Sequence, residues 1–319
     1  MSERAAAISS ADWQSSLLYH RSLLGDEMRN ERLLSAVKRV VTSKTRFLDI
    51  GTGSGIWAIV AAKLGAKTVT AVEANETMIP VIYGHLRENN VQDRVNVVYG
   101  RSWDVELPHR YDVILSETIG NQGFDESIVR TMIDARKRFI ARGGVMMPRS
   151  VSLMASLAHI KNDKKLPVNV PISANYLTQV CRNSILRVTD RQQFKLLGKP
   201  AELISADLTS IKSEPDFDNL TAVWKLDDIS RSNAVITWAR ADLVDKIKLD
   251  TWESLSWTPI VYQFEPFKVG KGQINFELNL GAKLHHWSVR LVSSNLPPRS
   301  YSPMFGFSKL SFDAFDHKR

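Results

Sequence analysis

The chain has 319 residues, 44% of them hydrophobic and 24% charged, which are globular proportions, and the length suggests two domains. A single cysteine, Cys181, excludes a disulfide within the chain and fits a reducing compartment. The net charge of +8 admits an anionic partner, but the basic residues are scattered. Their densest run, Arg136-Lys137-Arg138, falls in a predicted helix, so it reads as a solvated basic face and argues against a nucleic-acid partner.

In chain order, residues 1–10 read as disordered. Met1 to Trp13 lacks the apolar stretch of a signal peptide, and no apolar run is long enough to span a membrane. The expectation is a cytoplasmic protein with no membrane partner. Asp12 to Val41 carries a helical pattern with few breakers, a cap ahead of the first strand. Within it lies His20-Arg21-Ser22-Leu23-Leu24-Gly25-Asp26-Glu27-Met28-Arg29. A cap closing over a ligand would bring His20 and Arg29 toward it, with Arg29 pairing a carboxylate bidentately; on spacing alone the favoured reading of Arg29 is an exposed helical arginine.

Phe47-Leu48-Asp49-Ile50-Gly51-Thr52-Gly53-Ser54-Gly55-Ile56 reads as an apolar strand, a glycine-rich turn and a helix start, the helix running to Leu64. Glycines here take φ > 0 and let a ligand lie against the backbone, and the helix N-terminus favours an anion. A dinucleotide fingerprint wants a sixth-position glycine, where this chain has Ile56. A second strand, Thr68 to Val72, ends in Glu73, placed to accept hydrogen bonds from both hydroxyls of a ribose. Strands at Val95–Tyr99, Tyr111–Ser116 and from Gly144 to Met147 alternate with helices at Thr77–Asn90 and Glu126–Ile140. That order predicts a doubly wound, parallel α/β sheet, with ligands at the carboxyl ends of its strands. Gly51 to Gly55, Glu73, Ser102-Trp103-Asp104 and Glu117 fall at those ends. Ser102 and Trp103 are candidates for an adenine edge, with packing at the sheet margin the alternative for Trp103.

After Pro148-Arg149 the texture changes to alternation in Val151–Leu157, Ala234–Ala239, Ile260–Phe264 and Ile274–Leu280, which predicts an antiparallel, barrel-like β domain. His285-His286-Trp287 reads as part of a strand, and Ile172 to Leu186 as a helical excursion. Glu117 and Glu126 bracket a loop containing Gly120 and Gly123. Two converging carboxylates repel unless a cation lies between them, and a guanidinium fits. Alternatively, Glu117 merely ends a strand and Glu126 caps the next helix.

Asp49, Gly51, Gly53, Gly55 and Glu73 together resemble the S-adenosylmethionine site of class I methyltransferases. From His20 to about Leu157 the chain resembles the protein arginine methyltransferases. The matching runs are Asp26-Glu27-Met28-Arg29, Leu48-Asp49-Ile50-Gly51, Val72-Glu73, Val105-Glu106-Leu107-Pro108, Ser116-Glu117, Glu126 and Gly143-Gly144-Val145-Met146-Met147-Pro148. The resemblance implies a helical cap (1–45), a Rossmann-like S-adenosylmethionine domain (46–149) and a β-barrel-like substrate domain (150–319). It implies Glu117 and Glu126 as the catalytic clamp on a substrate guanidinium. It implies His20, Arg29, Asp49, Gly51, Gly53, Glu73, Ser102, Trp103 and Glu117 as cofactor residues, with no metal. It also implies a homodimer formed through an arm for which Ile172–Leu186 is the candidate. In the second domain the stretch from Ser256 to Glu265 resembles the segment that follows the family's Thr-His-Trp loop.

The departures lie on the acceptor side. Leu255-Ser256-Trp257 stands where the family has Thr-His-Trp, so the histidine that pairs with the aspartate matching Asp26 is absent. The N-terminal tyrosine-rich motif is missing, and Thr118-Ile119-Gly120-Asn121 replaces the family's Trp-Met-Gly-Tyr. The leading expectation is N-methylation of a guanidine group on a protein or peptide. The alternative is an N- or O-methyltransferase of a small biosynthetic or peptide substrate with a rebuilt acceptor pocket.

Overall fold

Two helices, α1 (Ser10–Leu24) and α2 (Glu27–Val40), precede the first strand in a computed structural model that describes residues 10–161, 172–173, 176–177, 185–188, 190–280, 286–292 and 297–302. The helical run expected from Asp12 to Val41 breaks at Gly25-Asp26. Asp26 takes an extended backbone (φ −84°, ψ 92°) and accepts from the Arg29 amide at 3.1 Å as the N-cap of α2. Helix α2 then buries Arg29, Leu33, Ala36 and Val37, which is the spacing of one helical face.

Five parallel strands follow: β1 (Arg46–Ile50), β2 (Thr68–Glu73), β3 (Val95–Tyr99), β4 (Tyr111–Ser116) and β5 (Ile140–Met147). Their order is β3-β2-β1-β4-β5. Helices α3 (Ile56–Lys63), α4 (Ile79–Glu88) and α5 (Ile128–Arg138) are the crossovers. Phe47, Leu48, Ala71, Ile114 and Leu115 have no exposed surface, as expected where helices cover both faces. The chain winds outward from β1 in both directions, so the carboxyl ends of β1 and β4 diverge and open a crevice.

Three boundaries differ from the sequence reading. The turn Glu76–Met78 is 3₁₀, and α4 begins only at Ile79, with proline in its first turn. Helix α5 spans Ile128–Arg138, not Glu126–Ile140. Strand β5 starts at Ile140 and pairs Tyr111, then slips so that Val113 meets Val145; the irregularity takes up the glycine pair that had hidden the strand's start.

The remaining strands are β6 (Ser150–Ile160), β7 (Ile185–Arg187), β8 (Phe194–Leu196), β9 (Ala201–Asp207), β10 (Leu220–Leu226), β11 (Ala234–Asp242), β12 (Lys248–Asp250), β13 (Ile260–Gln263), β14 (Gly272–Asn279), β15 (His286–Leu291) and β16 (Arg299–Tyr301). One sheet runs β10-β14-β15-β16. The other runs β7-β13-β11-β6-β8, with β12 on β11 and β9 on β6. Every described pairing here is antiparallel. His286-Trp287 is in β15, as expected. Its core is aromatic: Tyr262 lies 5.9 Å from Phe276 and 5.2 Å edge-on from Trp287, which stacks on Tyr301 at 5.7 Å. The proposed arm, Ile172–Leu186, falls largely outside the described residues.

The chain divides into two compact units, and the division is not linear. Residues 1–151, 206–214 and 240–257 form the first unit; 152–205, 215–239 and 258–319 form the second. The two returning segments are tied into the first unit by named bonds. Arg136 of α5 donates to the carbonyls of Leu208, at 2.5 Å, and Ile211, and the Arg130 amide donates to Glu214 at 3.2 Å. The second segment ends on Asp26. Its Oδ2 accepts from the hydroxyl of Ser254, the amide of Leu255 at 3.0 Å, and the amide and hydroxyl of Ser256 at 2.9 and 2.6 Å. The aspartate whose expected histidine is missing therefore has partners after all: two serine hydroxyls and two amides stand in for an imidazole.

Burial, at 1% exposure, opposes the charge on Asp26, but the bonds from Ser254, Ser256 and Arg29 outweigh it and hold the carboxyl below its usual range. A depressed aspartate stabilises the fold above its unfolded pKa and loses that contribution as pH falls toward the folded value. Asp26→Ala should therefore cost about 2 kcal/mol at pH 7, on the scale of hydrogen bonds to a charged group. The gap between wild type and variant in urea denaturation should narrow below the ordinary aspartate pKa of 3.8. A gap that stays constant into acid would show that the ionised form is not the stabilising one.

Candidate active site

The crevice at the ends of β1 and β4 is a cleft of about 190 Å³. Its walls include Tyr19 and His20 of α1, Arg29 of α2, Gly51 to Ser54 and Trp57 from the first turn and helix, Glu73 from β2, and Glu117, Thr118 and Glu126 from the loop after β4.

The glycine turn is shaped from beneath. Asp49, 1% exposed at the end of β1, accepts from the Thr52 hydroxyl at 2.5 Å and the Ala58 amide at 3.1 Å, tying the turn to the first turn of α3. Burial raises its pKa to about 7 against those two bonds. Gly53 has φ +57°, and a Cβ there would lie 2.7 Å from the His20 ring; a Cβ on Gly51 (φ +69°) would lie 2.6 Å from Thr118. Only glycine lets α1 and the β4 loop approach the turn this closely. His20 is held by its Nδ1 against the Ser16 carbonyl at 2.9 Å. Ser16 Oγ accepts from Asn75 at 3.0 Å, so α1 is anchored to the loop after β2.

Glu73 is 8% exposed. One carboxylate oxygen accepts from the Gly53 amide at 2.7 Å and the other from the Asn75 amide at 2.8 Å. These bonds fix its orientation while each oxygen keeps acceptor capacity.

Arg29 is not an exposed helical arginine. Its side chain is 4% exposed and its guanidinium donates to Glu117, from Nε at 3.1 Å and from Nη2, while Nη1 reaches Asn30 at 2.9 Å. Its Cζ lies 6.0 Å from the Trp57 ring centre and 5.6 Å from that of Trp257. The sequence reading sent this cation to a ligand carboxylate; its partner within the protein is the carboxylate that the same reading assigned to the acceptor.

The loop from Glu117 to Glu126 is folded by its own residues. Ser116 Oγ donates to the Ile50 carbonyl at 3.1 Å and contacts Thr118 Oγ1 at 3.1 Å, locking the loop's start to β1. Asp125 accepts from the amides of Asn121 and Gln122 at 3.2 and 3.1 Å. A Cβ on Gly120 (φ +70°) would strike the Asp125 carboxylate, so the chain needs glycine there. Glu126 does not cap α5: Ser127 is the N-cap residue, in a left-handed conformation and without a side-chain capping bond. Glu126 instead faces the cleft. The residue is exposed overall, yet its carboxyl is desolvated and lies in the field of Glu117 and Asp125; those effects raise its pKa to about 7 against the pull of Arg29.

Asp49 is under the floor, and Ser102 and Trp103 are not among the cleft walls. Arg130 stacks over Trp103 with Cζ 4.2 Å from the ring centre, and Arg138 donates to the Ser102 carbonyl. The buried Ser102 Oγ has no partner among the described residues. Tyr19, Trp57 and Thr118 line the cleft without having been singled out in the sequence. Tyr19 adjoins His20 and packs edge-on against it at 5.4 Å, and its phenol is held protonated by desolvation and the charges of Glu126 and Glu117. Trp57, an aromatic just past the last turn glycine, was the readable signal among the three. No group of His, Cys, Asp and Glu among the described residues is arranged to hold a metal, and no described helix is long and apolar enough to cross a membrane.

Residues 31–148 match the family model described as ribosomal protein L11 methyltransferase (PrmA). Among curated proteins, the Arabidopsis thaliana protein arginine N-methyltransferase PRMT10 is 39% identical over 152 residues, 46% of this chain and 39% of that one. A probable protein arginine N-methyltransferase 6.1 of Oryza sativa subsp. indica is 34% identical over 149 residues, 46% of this chain and 38% of the relative. The match thus spans less than two-fifths of these relatives. Solved structures align over far more. The Trypanosoma brucei PRMT1 enzyme–prozyme heterotetrameric complex with AdoHcy covers 89% of this chain and 97% of its own, with a TM-score of 0.72 at 20% identity. Arabidopsis thaliana protein arginine methyltransferase 10 covers 91% and 98%, at 0.71 and 21%. At those identities the likeness establishes the fold, a Rossmann-like methyltransferase sheet followed by a β-barrel. The family model and the relatives agree on a methyltransferase domain and differ in the acceptor they name. Through its first domain, this chain is similar to the protein arginine N-methyltransferases and to the ribosomal protein L11 methyltransferase model.

Proposed function

We propose that this chain is an S-adenosylmethionine-dependent methyltransferase acting on a guanidine nitrogen of an arginine-like group in a protein or peptide. The observation that carries the reading is one cleft holding both halves of such a site. The glycine turn and Glu73 sit on one side, and Glu117 and Glu126 on the other. The cofactor fits what is there: a turn that no Cβ could enter, a carboxylate oriented for a diol, a helix N-terminus and a buried cation. S-adenosylmethionine supplies a methyl group on a sulfonium sulfur, already electrophilic toward nitrogen. Glu73 would take the ribose hydroxyls, His20 and Arg29 the amino-acid end, and Ser102, with its unpartnered Oγ, the adenine edge.

The acceptor side is anionic. Arg29 offsets one of Glu117, Glu126 and Asp125, leaving a field that draws a cation inward and orients its nitrogens. Arg29 holds Glu117 in place through its Nε and Nη2. Glu126, with a pKa near neutrality, is matched to accept the proton that the nitrogen loses. The second reading, a small-molecule N- or O-methyltransferase, draws on Thr118, which packs on Gly51 at the place of a family tryptophan. The single cysteine supports a cytoplasmic setting. Homodimerisation rests on the family resemblance.

Transfer of labelled methyl to protein fractions, peptides, free arginine and small-molecule extracts tests the reading directly; label confined to non-guanidine small molecules would favour the second. Glu73→Ala should weaken calorimetric binding of S-adenosylhomocysteine about tenfold or more, since hydrogen bonds to a charged group contribute about 1.5–3 kcal/mol. Unchanged affinity would remove Glu73 from the site. With the acceptor in hand, kcat/KM should rise with pH through about 7 as Glu126 ionises. Glu126→Gln should abolish that limb and lower turnover by orders of magnitude while leaving cofactor affinity nearly unchanged. An active Glu126→Gln enzyme with the same pH profile would refute the clamp.

A further inference from the structure

The basic residues are scattered in the sequence, but the fold gathers a group of them at one edge of the parallel sheet. Every strand of that sheet starts within two residues of a cation: β1 at Arg46, β2 after Lys67, β3 after Arg94, β4 after Arg110 and β5 after Arg138. Within the same reach of those starts the carboxylates are Asp93 and Asp112. Hydrogen bonds make the group continuous. Arg94 donates to the Ala66 carbonyl at 3.2 Å, and the Lys67 amide donates to the Thr45 carbonyl at 2.8 Å. Arg46 grips Asp112 with Nε at 3.1 Å and Nη2 at 2.9 Å, and Arg110 donates to the carbonyls of Lys137 and Ile140 at 3.0 and 3.3 Å. Neighbouring strands lie about 4.8 Å apart, so the five starts form a rim about 20 Å long.

The arginines of this rim are engaged with the protein, and its lysines are not. The side chains of Lys44, Lys67 and Lys137 are exposed and make no hydrogen bond or ion pair among the described residues. The carbonyl end of α5 offsets part of the charge of Lys137, but Lys44 and Lys67 lie in turns outside any helix. The rim already stabilises one carboxylate: the Arg46 guanidinium holds Asp112 below its usual range, and the charge of Lys67 adds to the effect. A partner for the rim is therefore a polyanion. Phe47, Tyr111 and Phe139, the aromatics at the strand starts, are at most 2% exposed, so no ring is offered on which a nucleic-acid base could stack. We propose that the rim docks an acidic protein segment, a run of Asp and Glu carboxylates laid across the strand starts. At about 3.3 Å per residue, an extended segment of about six residues covers it. The rim is at the amino ends of the strands and the cleft at their carboxyl ends, so the proposal does not rest on the methyltransferase reading. Under that reading, the segment holds a protein acceptor at a second point.

The probe is a fluorescein-labelled oligoglutamate titrated into the full chain, with anisotropy as the readout. Wild type should bind it, and the affinity should fall as salt rises. Reversing the three unpaired lysines together, as Lys44→Glu, Lys67→Glu and Lys137→Glu, should weaken binding about tenfold or more. A matched variant, Lys195→Glu, Lys225→Glu and Lys268→Glu, changes the net charge equally on exposed lysines of the second unit and should bind like wild type. Equal losses in the two variants would make the effect one of net charge, and no binding by wild type would leave the rim without an acidic partner; either result overturns the proposal. So does a DNA duplex that binds more tightly than oligoglutamate and depends on the same three lysines, since it assigns the rim to nucleic acid. A wild-type measurement covers the case in which the rim variant does not fold. Carbodiimide should couple the oligoglutamate to Lys44, Lys67 or Lys137, read by peptide mass spectrometry, and links confined to other lysines would refute the docking site. Binding of S-adenosylhomocysteine by the same samples tests the cofactor reading separately.

Discussion

The ion pair between Arg29 and Glu117 is the constraint around which the first unit is arranged. It joins a helix that precedes the sheet to the end of β4, at the point where the strand order reverses. Both side chains are almost wholly buried, so the pair must recover its desolvation through geometry; removing either partner would leave a buried charge, a loss of about 3–5 kcal/mol. Three residues before Arg29, Asp26 caps the same helix and gathers Ser254, Leu255 and Ser256. The first turn of α2 thus binds the β4 loop with one side chain and a segment more than two hundred residues later with another. Trp257 arrives against Arg29 as a consequence.

The cleft has an uneven distribution of charge. Arg29 and the N-terminus of α3 are donors, grouped near the glycine turn. Glu117, paired with Arg29, stands with Glu126 and Asp125 on the loop after β4, and desolvation, then the charges of Glu117 and Asp125, raise the pKa of Glu126. A cleft lined by a cation, a helix N-terminus and more carboxylates than the cation offsets is suited to hold an anion-tailed molecule and a cation together. Neither group alone would define a methyltransferase. Under the proposed reading it is their common cavity that matters, because transfer from a sulfonium depends chiefly on alignment.

The sheet was legible because its signals are local. Strand β4 matched residue for residue, and α3 followed from the glycines before it. The misses have local causes of another kind: β5 hid behind Gly143-Gly144, and α5 lost its first turn to a left-handed Ser127. What periodicity could not show is non-local. Nothing in 206–214 or 240–257 marks those residues as part of the first unit, since their anchors are hydrogen bonds to Arg130, Arg136 and Asp26, all distant in sequence. The glutamate pair was visible as spacing; that Arg29 sits on one of them was not.

The exchange of histidine for serine at position 256 changes which group in the first unit responds to pH. A carboxylate paired with an imidazole shares a titration with it and loosens when that ring changes charge near neutrality. Asp26 is held instead by hydroxyls and amides, none of which titrates there, and its own pKa is depressed. The link from α2 to residues 254–256 therefore keeps one protonation state across the neutral range. Desolvation and neighbouring carboxylates raise Glu126 to about 7, and burial raises Asp49, sealed under the turn, to about the same value. The Asp49 carboxylate accepts from Thr52 of the turn and Ala58 of α3, so its protonation bears on the shape of the glycine loop, whereas that of Glu126 bears on the charge of the cleft wall. With the Asp26 link fixed, a change of pH through neutrality alters the charge on the Glu126 wall of the cleft while the α2 framework that carries Arg29 stays in place.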